Sequence, residues 1–181
     1  MPRLIHLNGP SRVGKSTLAR RYATEHPGVL SLDVDVLVGL IGGWQSDFES
    51  ASAMARQLGM TMAIAHLRNG HDVVLAQLVT SYNVSPWGDE LAARAGAEYI
   101  EIALLADSEE HRRRLTEKRP MHAVDAWVQV ALTHSGGELI EKIREDLDAY
   151  LAARPATIRV DTGAQTVEET YAVIVGILGE G

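Results

Sequence analysis

The chain has 181 residues, 46% of them hydrophobic, which is one domain's worth of material and enough to bury a continuous core. A formal net charge of -7 and a pI near 5.5, with Arg112-Arg113-Arg114 as the one basic run that stands out, weigh against nucleic acid or an anionic membrane as the main partner and favour a small molecule. With no cysteine for disulfides or thiol chemistry, no apolar run of membrane-spanning length and no secretory pattern before the first strand, a cytoplasmic protein is expected.

The chain opens on Arg3-Leu4-Ile5-His6-Leu7-Asn8, a short apolar strand. Gly9-Pro10-Ser11-Arg12-Val13-Gly14-Lys15-Ser16-Thr17 follows and fits G-x-x-x-x-G-K-[ST] at every fixed position. Leu18 to Ala23 then reads as a helix, so the motif has the strand-loop-helix context that a phosphate-binding loop requires. Glycines let the backbone turn tightly and gather successive N–H groups on one concave surface, and the helix beginning near Lys15 adds its positive end. Lys15 is expected at the β and γ phosphates and the Ser16 hydroxyl on magnesium. Arg12 is either a further phosphate contact or a solvated charge. The expected nucleotide-binding set is Gly9, Ser11, Arg12, Val13, Gly14, Lys15, Ser16 and Thr17.

Strand candidates at 3–8, 29–33, 72–78, 98–105 and 156–160 alternate with helical patterns, a βα repeat that implies a parallel sheet covered on both faces. Asp33-Val34-Asp35 stands at the end of the second strand, where an α/β sheet opens its ligand crevice, so both carboxylates are expected beside the phosphate loop. One can assist the metal while the other accepts the proton of an attacking hydroxyl; alternatively Asp33 or Asp35 caps a helix beginning at Val36. The roughly forty residues before the third strand exceed an ordinary crossover and suggest an acceptor-binding insertion. In it Gly42-Gly43 breaks a short helix, and Trp44 either swings toward the cleft to pack on a ring or joins the core. Ala51, Met54, Ala55, Leu58, Met62 and Ala65 form the expected core stripe of the next helix, with Arg56 directed to the cleft or to solvent. Gln77, at a strand end, can hydrogen-bond an acceptor or merely tie backbone together.

Ser108-Glu109-Glu110 supplies a cap and an acidic first turn for the arginine-rich helix. Arg119 lies beyond it, where a cation carried by a mobile segment can neutralise a transferred phosphoryl group. Gly136-Gly137 separates two helices, the second burying Leu139, Ile140, Ile143, Leu147, Tyr150 and Leu151. Thr166-Val167-Glu168-Glu169 is a capping box for a last helix with Val167, Tyr171, Ile174 and Leu178 on one face. The seven histidines show no metal-ligand spacing, and no G-x-S-x-G elbow makes a serine nucleophilic.

Taken together, these residues resemble the small P-loop kinases typified by shikimate kinase and gluconate kinase, with chloramphenicol phosphotransferase and the zeta-type toxins as more distant relatives. The likeness rests on the Gly9–Thr17 loop, on Asp33-x-Asp35, on Arg119-Pro120-Met121 preceded by Arg112-Arg113-Arg114, and on Ala156 to Thr162, which is similar to the family's last strand and adenine-side loop. It implies an α/β, three-layer P-loop NTPase-type sandwich with a five-stranded parallel sheet in the order 2-3-1-4-5. It further implies one domain over 1–181, an acceptor-binding segment at about 35–70 and a lid at about 112–125. ATP and Mg2+ are the implied cofactors. Asp33 would assist the magnesium on Ser16, Asp35 would meet the acceptor hydroxyl, Arg119 would reach the transferred phosphate and Arg112 would flank the adenine. Trp44, Arg56 and Gln77 complete the candidate acceptor contacts. The glycine-rich turn after the third strand of shikimate kinase and its arginine-glutamate helix motif are both missing, and gluconate kinases have a different third-strand continuation as well, so neither shikimate nor gluconate carries over as substrate. The expected activity is ATP-dependent phosphorylation of a small-molecule hydroxyl, sugar-like or antibiotic. The alternatives are a nucleotide-binding regulatory or toxin-type protein and a nucleic-acid end kinase.

Overall fold

Five apolar runs form the strands β1 (Arg3–Asn8), β2 (Leu30–Asp33), β3 (Val73–Ala76), β4 (Glu98–Leu105) and β5 (Ile158–Asp161) in a computed structural model that describes residues 1–81, 88–135 and 137–179. All pair in parallel, in the order β2-β3-β1-β4-β5. The register sets Leu7 beside Ala76 and Asp33 beside the same Ala76, so β1, β2 and β3 finish together and their following residues share one edge.

The helices are α1 (Lys15–Glu25), α2 (Val34–Val38), α3 (Phe48–Arg68), α4 (Asp89–Ala95), α5 (Ser108–Glu117), α6 (Ala123–His134), α7 (Glu138–Ala152) and α8 (Val167–Ile177). Strand alternation divides them between two faces. Ile5, Leu7 and Val74 pack with Leu18 and Tyr22 of α1 and with Tyr171 and Ile174 of α8. Leu4, Leu32 and Leu75 pack with Ala55, Ala63 and Leu67 of α3 and Leu91 of α4, while α7 covers Val79 and Ala103. At about 1.5–3 kcal/mol for each fully buried large aliphatic side chain, this apolar burial on both faces dominates the fold's stabilisation.

Several local expectations need correction. On α3 the buried stripe is Ala51, Ala55, Gly59, Ala63 and Leu67, whereas Met54, Leu58 and Met62 stand 48%, 53% and 42% exposed and Ala65 is also outward. Small residues take the inner side, where a Cβ on Gly59 would sit in ordinary contact with Leu37, Val34 and Leu32. The cap of α5 is Asp107, one residue earlier than expected, its Oδ1 accepting from the Glu110 N–H at 2.8 Å. Leu139 and Val167 are partly exposed at the cleft instead of buried. The capping box of α8 forms as read, Thr166 and Glu169 bonding each other's backbone N–H at 2.8 and 3.2 Å. Gly137 precedes α7 with φ 96°; Gly136 lies outside the described residues. Among the described residues no helix is long and apolar enough to cross a membrane.

Candidate active site

The Gly9–Thr17 loop leaves β1 through a residue that can only be glycine. Gly9 has φ 138°, and a Cβ there would collide with the Leu104 carbonyl oxygen. Gly14, at φ 117°, precedes α1 without any side-chain cap, so the first N–H groups of that helix are left for an anionic ligand. The outer side of the loop is anchored by α5 and the residue after it. His111 Nε2 bonds the Ser11 carbonyl at 2.9 Å, Lys118 Nζ donates to Arg12 O at 3.2 Å and Arg114 Nη1 to Val13 O at 3.4 Å. With Nε2 donating, the buried Nδ1 of His111 is an acceptor without a partner, and burial lowers the ring's pKa. Arg114 is buried and also binds Thr162 through Oγ1 and O at 2.9 and 2.5 Å, fixing the loop after β5 against the same cradle.

Lys15 Nζ lies across the cradle, donating to Gly9 O at 2.7 Å and Pro10 O at 2.8 Å. Burial pushes its pKa down to about 8, with Asp35, Asp33 and Asp125 opposing the shift. Asp33 caps α2: its Oδ1 accepts from Asp35 N at 3.1 Å, so the cap is Asp33 rather than Asp35 and the helix starts at Val34 instead of Val36. Asp33 Oδ2 is buried and has no hydrogen-bond partner. Asp35 lines the cleft with no hydrogen bond to its carboxylate, and its pKa is raised by burial and then by Asp33, against the pull of Lys15 and His122.

No cluster of three or more His, Cys, Asp or Glu able to hold a metal occurs among the described residues. The unpartnered Asp33 Oδ2 and the Ser16 hydroxyl, both at the cleft, nevertheless fit a hard cation whose remaining ligands are phosphate oxygens and water.

These groups share a cavity of about 570 Å³ with Arg119, Lys118 and Gln77. Gly9 and Val13 stand behind the cradle, Val13 packed in the core, and act through the loop backbone. Arg12, in the left-handed region at φ 67°, lines the cleft and is not a solvated charge: its guanidinium donates to Arg119 O and Gln129 Oε1, each at 2.9 Å, and pairs with Asp125 at 3.2 Å. It therefore straps the cradle to the segment that carries Arg119, whose own exposed side chain is left for the cleft. Arg112 does not line the cleft and pairs with Glu141 at 2.6 Å, whereas the α5 arginine bonded to the phosphate loop and to Thr162 is Arg114. Trp44 is a core residue, 6% exposed behind Phe48 and Trp127, which line the cleft in its place. Arg56 is half-buried on α3 and does not line the cleft. Gln77 lines it, with one weak bond to Leu78 O at 3.5 Å.

Sequence reasoning missed His122 and Asp125, which form the capped start of α6 and line the cleft. The spacing His122-x-x-Asp125 immediately after Arg119-Pro120-Met121 was the available signal. It also missed Asn8, whose Oδ1 accepts from Gly9 N at 2.8 Å and Val79 N at 2.9 Å while its amide donates to Val79 O and Glu101 Oε1, both at 3.0 Å. One side chain thus ties the entry of the phosphate loop to the segment after β3.

A family model described as an AAA domain matches residues 4–131. No curated protein matches the sequence. Among solved structures, the chain is similar to a tunicamycin resistance protein of Deinococcus radiodurans at TM-score 0.61 and 14% identity, over 100% of this chain and 98% of that one. It is similar to shikimate kinase of Bacteroides thetaiotaomicron at TM-score 0.61 and 17% identity, covering 98% of each, and to a sugar kinase of a Janibacter species at 0.61 and 14%, covering 100% and 96%. At these identities the likeness is one of fold, and the fold is that of the P-loop kinases.

Proposed function

The chain belongs to the AAA domain family, whose model spans residues 4–131, and from that premise we propose that it is an ATP-dependent phosphotransferase acting on the hydroxyl of a small molecule. The observation that carries this reading is the meeting in one cavity of a phosphate-binding loop, a carboxylate with no protein partner and an unengaged arginine: Lys15, Asp35 and Arg119. The similarity in fold to shikimate kinase and to a sugar kinase supports a small-molecule acceptor.

In the proposed reaction the acceptor oxygen bonds the γ phosphorus as the bond to the β–γ bridging oxygen breaks, giving ADP and a phosphate ester. Asp35 takes the hydroxyl proton; its pKa, raised by burial and by Asp33, makes its carboxylate a stronger base than an ordinary one. Lys15 and Arg119 hold the negative charge that moves from the γ phosphoryl to the leaving oxygen. A magnesium ion on Ser16, with Asp33 nearby, would neutralise the phosphates and orient them. Arg114 and Thr162 support the donor nucleotide's side of the cleft, and Gln77 the acceptor's. The proposed compartment is the cytoplasm.

ADP release in the presence of ATP, Mg2+ and a pool of hydroxyl-bearing metabolites and antibiotics tests the proposal. Acceptor-stimulated release that falls by about three orders of magnitude in Asp35→Asn, with ATP binding retained, is the expected result. Nucleotide binding with no acceptor-dependent turnover would instead assign the loop to a regulatory or toxin-type protein.

A further inference from the structure

Beyond the reacting groups the cavity continues as an apolar chamber. Phe48, at the start of α3, stacks on Trp127 of α6 with ring centroids 4.4 Å apart and planes at 20°, and Trp44 supports both edge-on from the core at 6.4 and 6.3 Å. Trp127 is still 38% exposed. Leu78, Val128 and Leu139 extend the wall. The cleft's arginines and lysines, Arg12, Lys15, Lys118 and Arg119, all belong to the phosphate loop or the segment following α5. Among the described cleft-lining residues, those from α3, α6 and α7 include no cation.

This division of charge selects the acceptor. A carboxylated or phosphorylated acceptor would need a guanidinium or ammonium on its own side of the cavity. A polyol would need donors and acceptors along its length, since a hydroxyl pressed against Phe48, Trp127 and Leu78 loses its water without replacement. Among the described lining residues outside the phosphate loop and the segment after α5, the polar groups are Asp33, Asp35, Gln77, His122 and Asp125, and none of them is a lysine or arginine. We propose that the acceptor is an uncharged alcohol with an aromatic or bulky apolar body, its ring against Phe48 and Trp127 and its hydroxyl delivered to Asp35. The inference rests on the phosphotransferase reading and narrows its substrate class.

The test incubates the whole protein with Mg-ATP and two sets of probes, benzyl alcohol and phenoxyethanol against glucose and gluconate, and detects phosphate esters by mass spectrometry. The expected result is a kcat/KM for the aryl alcohols at least about tenfold above that for the polar set. Trp127→Ala should raise the KM for phenoxyethanol about tenfold, and Trp127→Phe should keep it near the parent value, as stacking on a retained ring requires. Phosphorylation of glucose or gluconate with the aryl alcohols inert overturns the substrate class and leaves the kinase reading standing. An unchanged KM in a folded Trp127→Ala, and likewise in Phe48→Ala, also overturns it. Failure to phosphorylate any probe or any member of the wider pool, with ATP still bound, overturns both.

Discussion

Burial holds the Lys15 ammonium, which donates to the Gly9 and Pro10 carbonyls, at a pKa of about 8 in the chain without ligand. Polyphosphate beside it restores the charged form, so binding ATP above that pH must draw a proton from solution. Titration calorimetry at about pH 9 in two buffers of different ionisation enthalpy should reveal this uptake; at about pH 6.5, where the lysine is already charged, Lys15 should contribute none. Lys15→Met should abolish the uptake at the higher pH. Arg119 differs in having no role in the resting fold that its side chain must fulfil. Arg119→Ala should therefore leave the melting temperature in place, change ATP affinity by no more than a few-fold and lower turnover about a thousandfold, checked by steady-state kinetics beside nucleotide titration. Equal turnover would remove the arginine from the reaction.

At the scale of elements, the five strands were legible because short apolar runs between turn residues have few alternatives, and the loop-to-helix start of α1 was legible because its glycines obey a backbone constraint. The face of α3 was not: Ala and Met are both apolar, and hydropathy alone does not tell which of them turns inward. The lid contacts were equally hidden, since Arg12 meets the Arg119 carbonyl across 107 positions of sequence and nothing local marks the pair. Hidden too was the polar cluster joining β1, β4 and α7. Glu101, 5% exposed, accepts from Asn8 and Tyr150 at 3.0 Å, from Arg154 at 3.0 Å and from Thr157 at 2.8 Å, with His6 Nδ1 at 3.5 Å. Burial alone would raise its pKa, but His6, Thr157, Asn8 and Arg154 outweigh it and hold the carboxyl below its ordinary value. The group therefore contributes stability that is present above the unfolded-state pKa and is lost as pH falls through the lower folded one. Glu101→Ala leaves several buried donors unanswered and should cost about 3–5 kcal/mol, read by urea unfolding near neutral pH, with a shallower acid limb of stability than the parent. A loss below about 1 kcal/mol would show that the cluster is not tightly coupled.

Across the whole molecule, the sheet brings together in one cavity residues that follow β1, β2 and β3, with the segment after α5 and the helix α6 lining the same cavity. Acidic overall, the protein carries its cleft lysines and arginines on the phosphate loop and the segment after α5, while Phe48, Trp127, Val128 and Leu139 supply apolar lining; in the proposed kinase this would sort the two substrates by chemistry. The strap made by Arg12 to Arg119 O, Gln129 and Asp125 also has a consequence in time. In the proposed kinase, a segment already fastened over the loop in the resting chain would have to be released for nucleotide to enter and again for ADP to leave, slowing association and dissociation together while changing their ratio little. Arg12→Ala should raise both rate constants by about tenfold in stopped-flow measurements with a fluorescent ADP analogue, with the equilibrium constant nearly preserved. Residence time, more than affinity, is then what this arginine sets: a product held long enough to limit the cycle would make turnover insensitive to a faster chemical step.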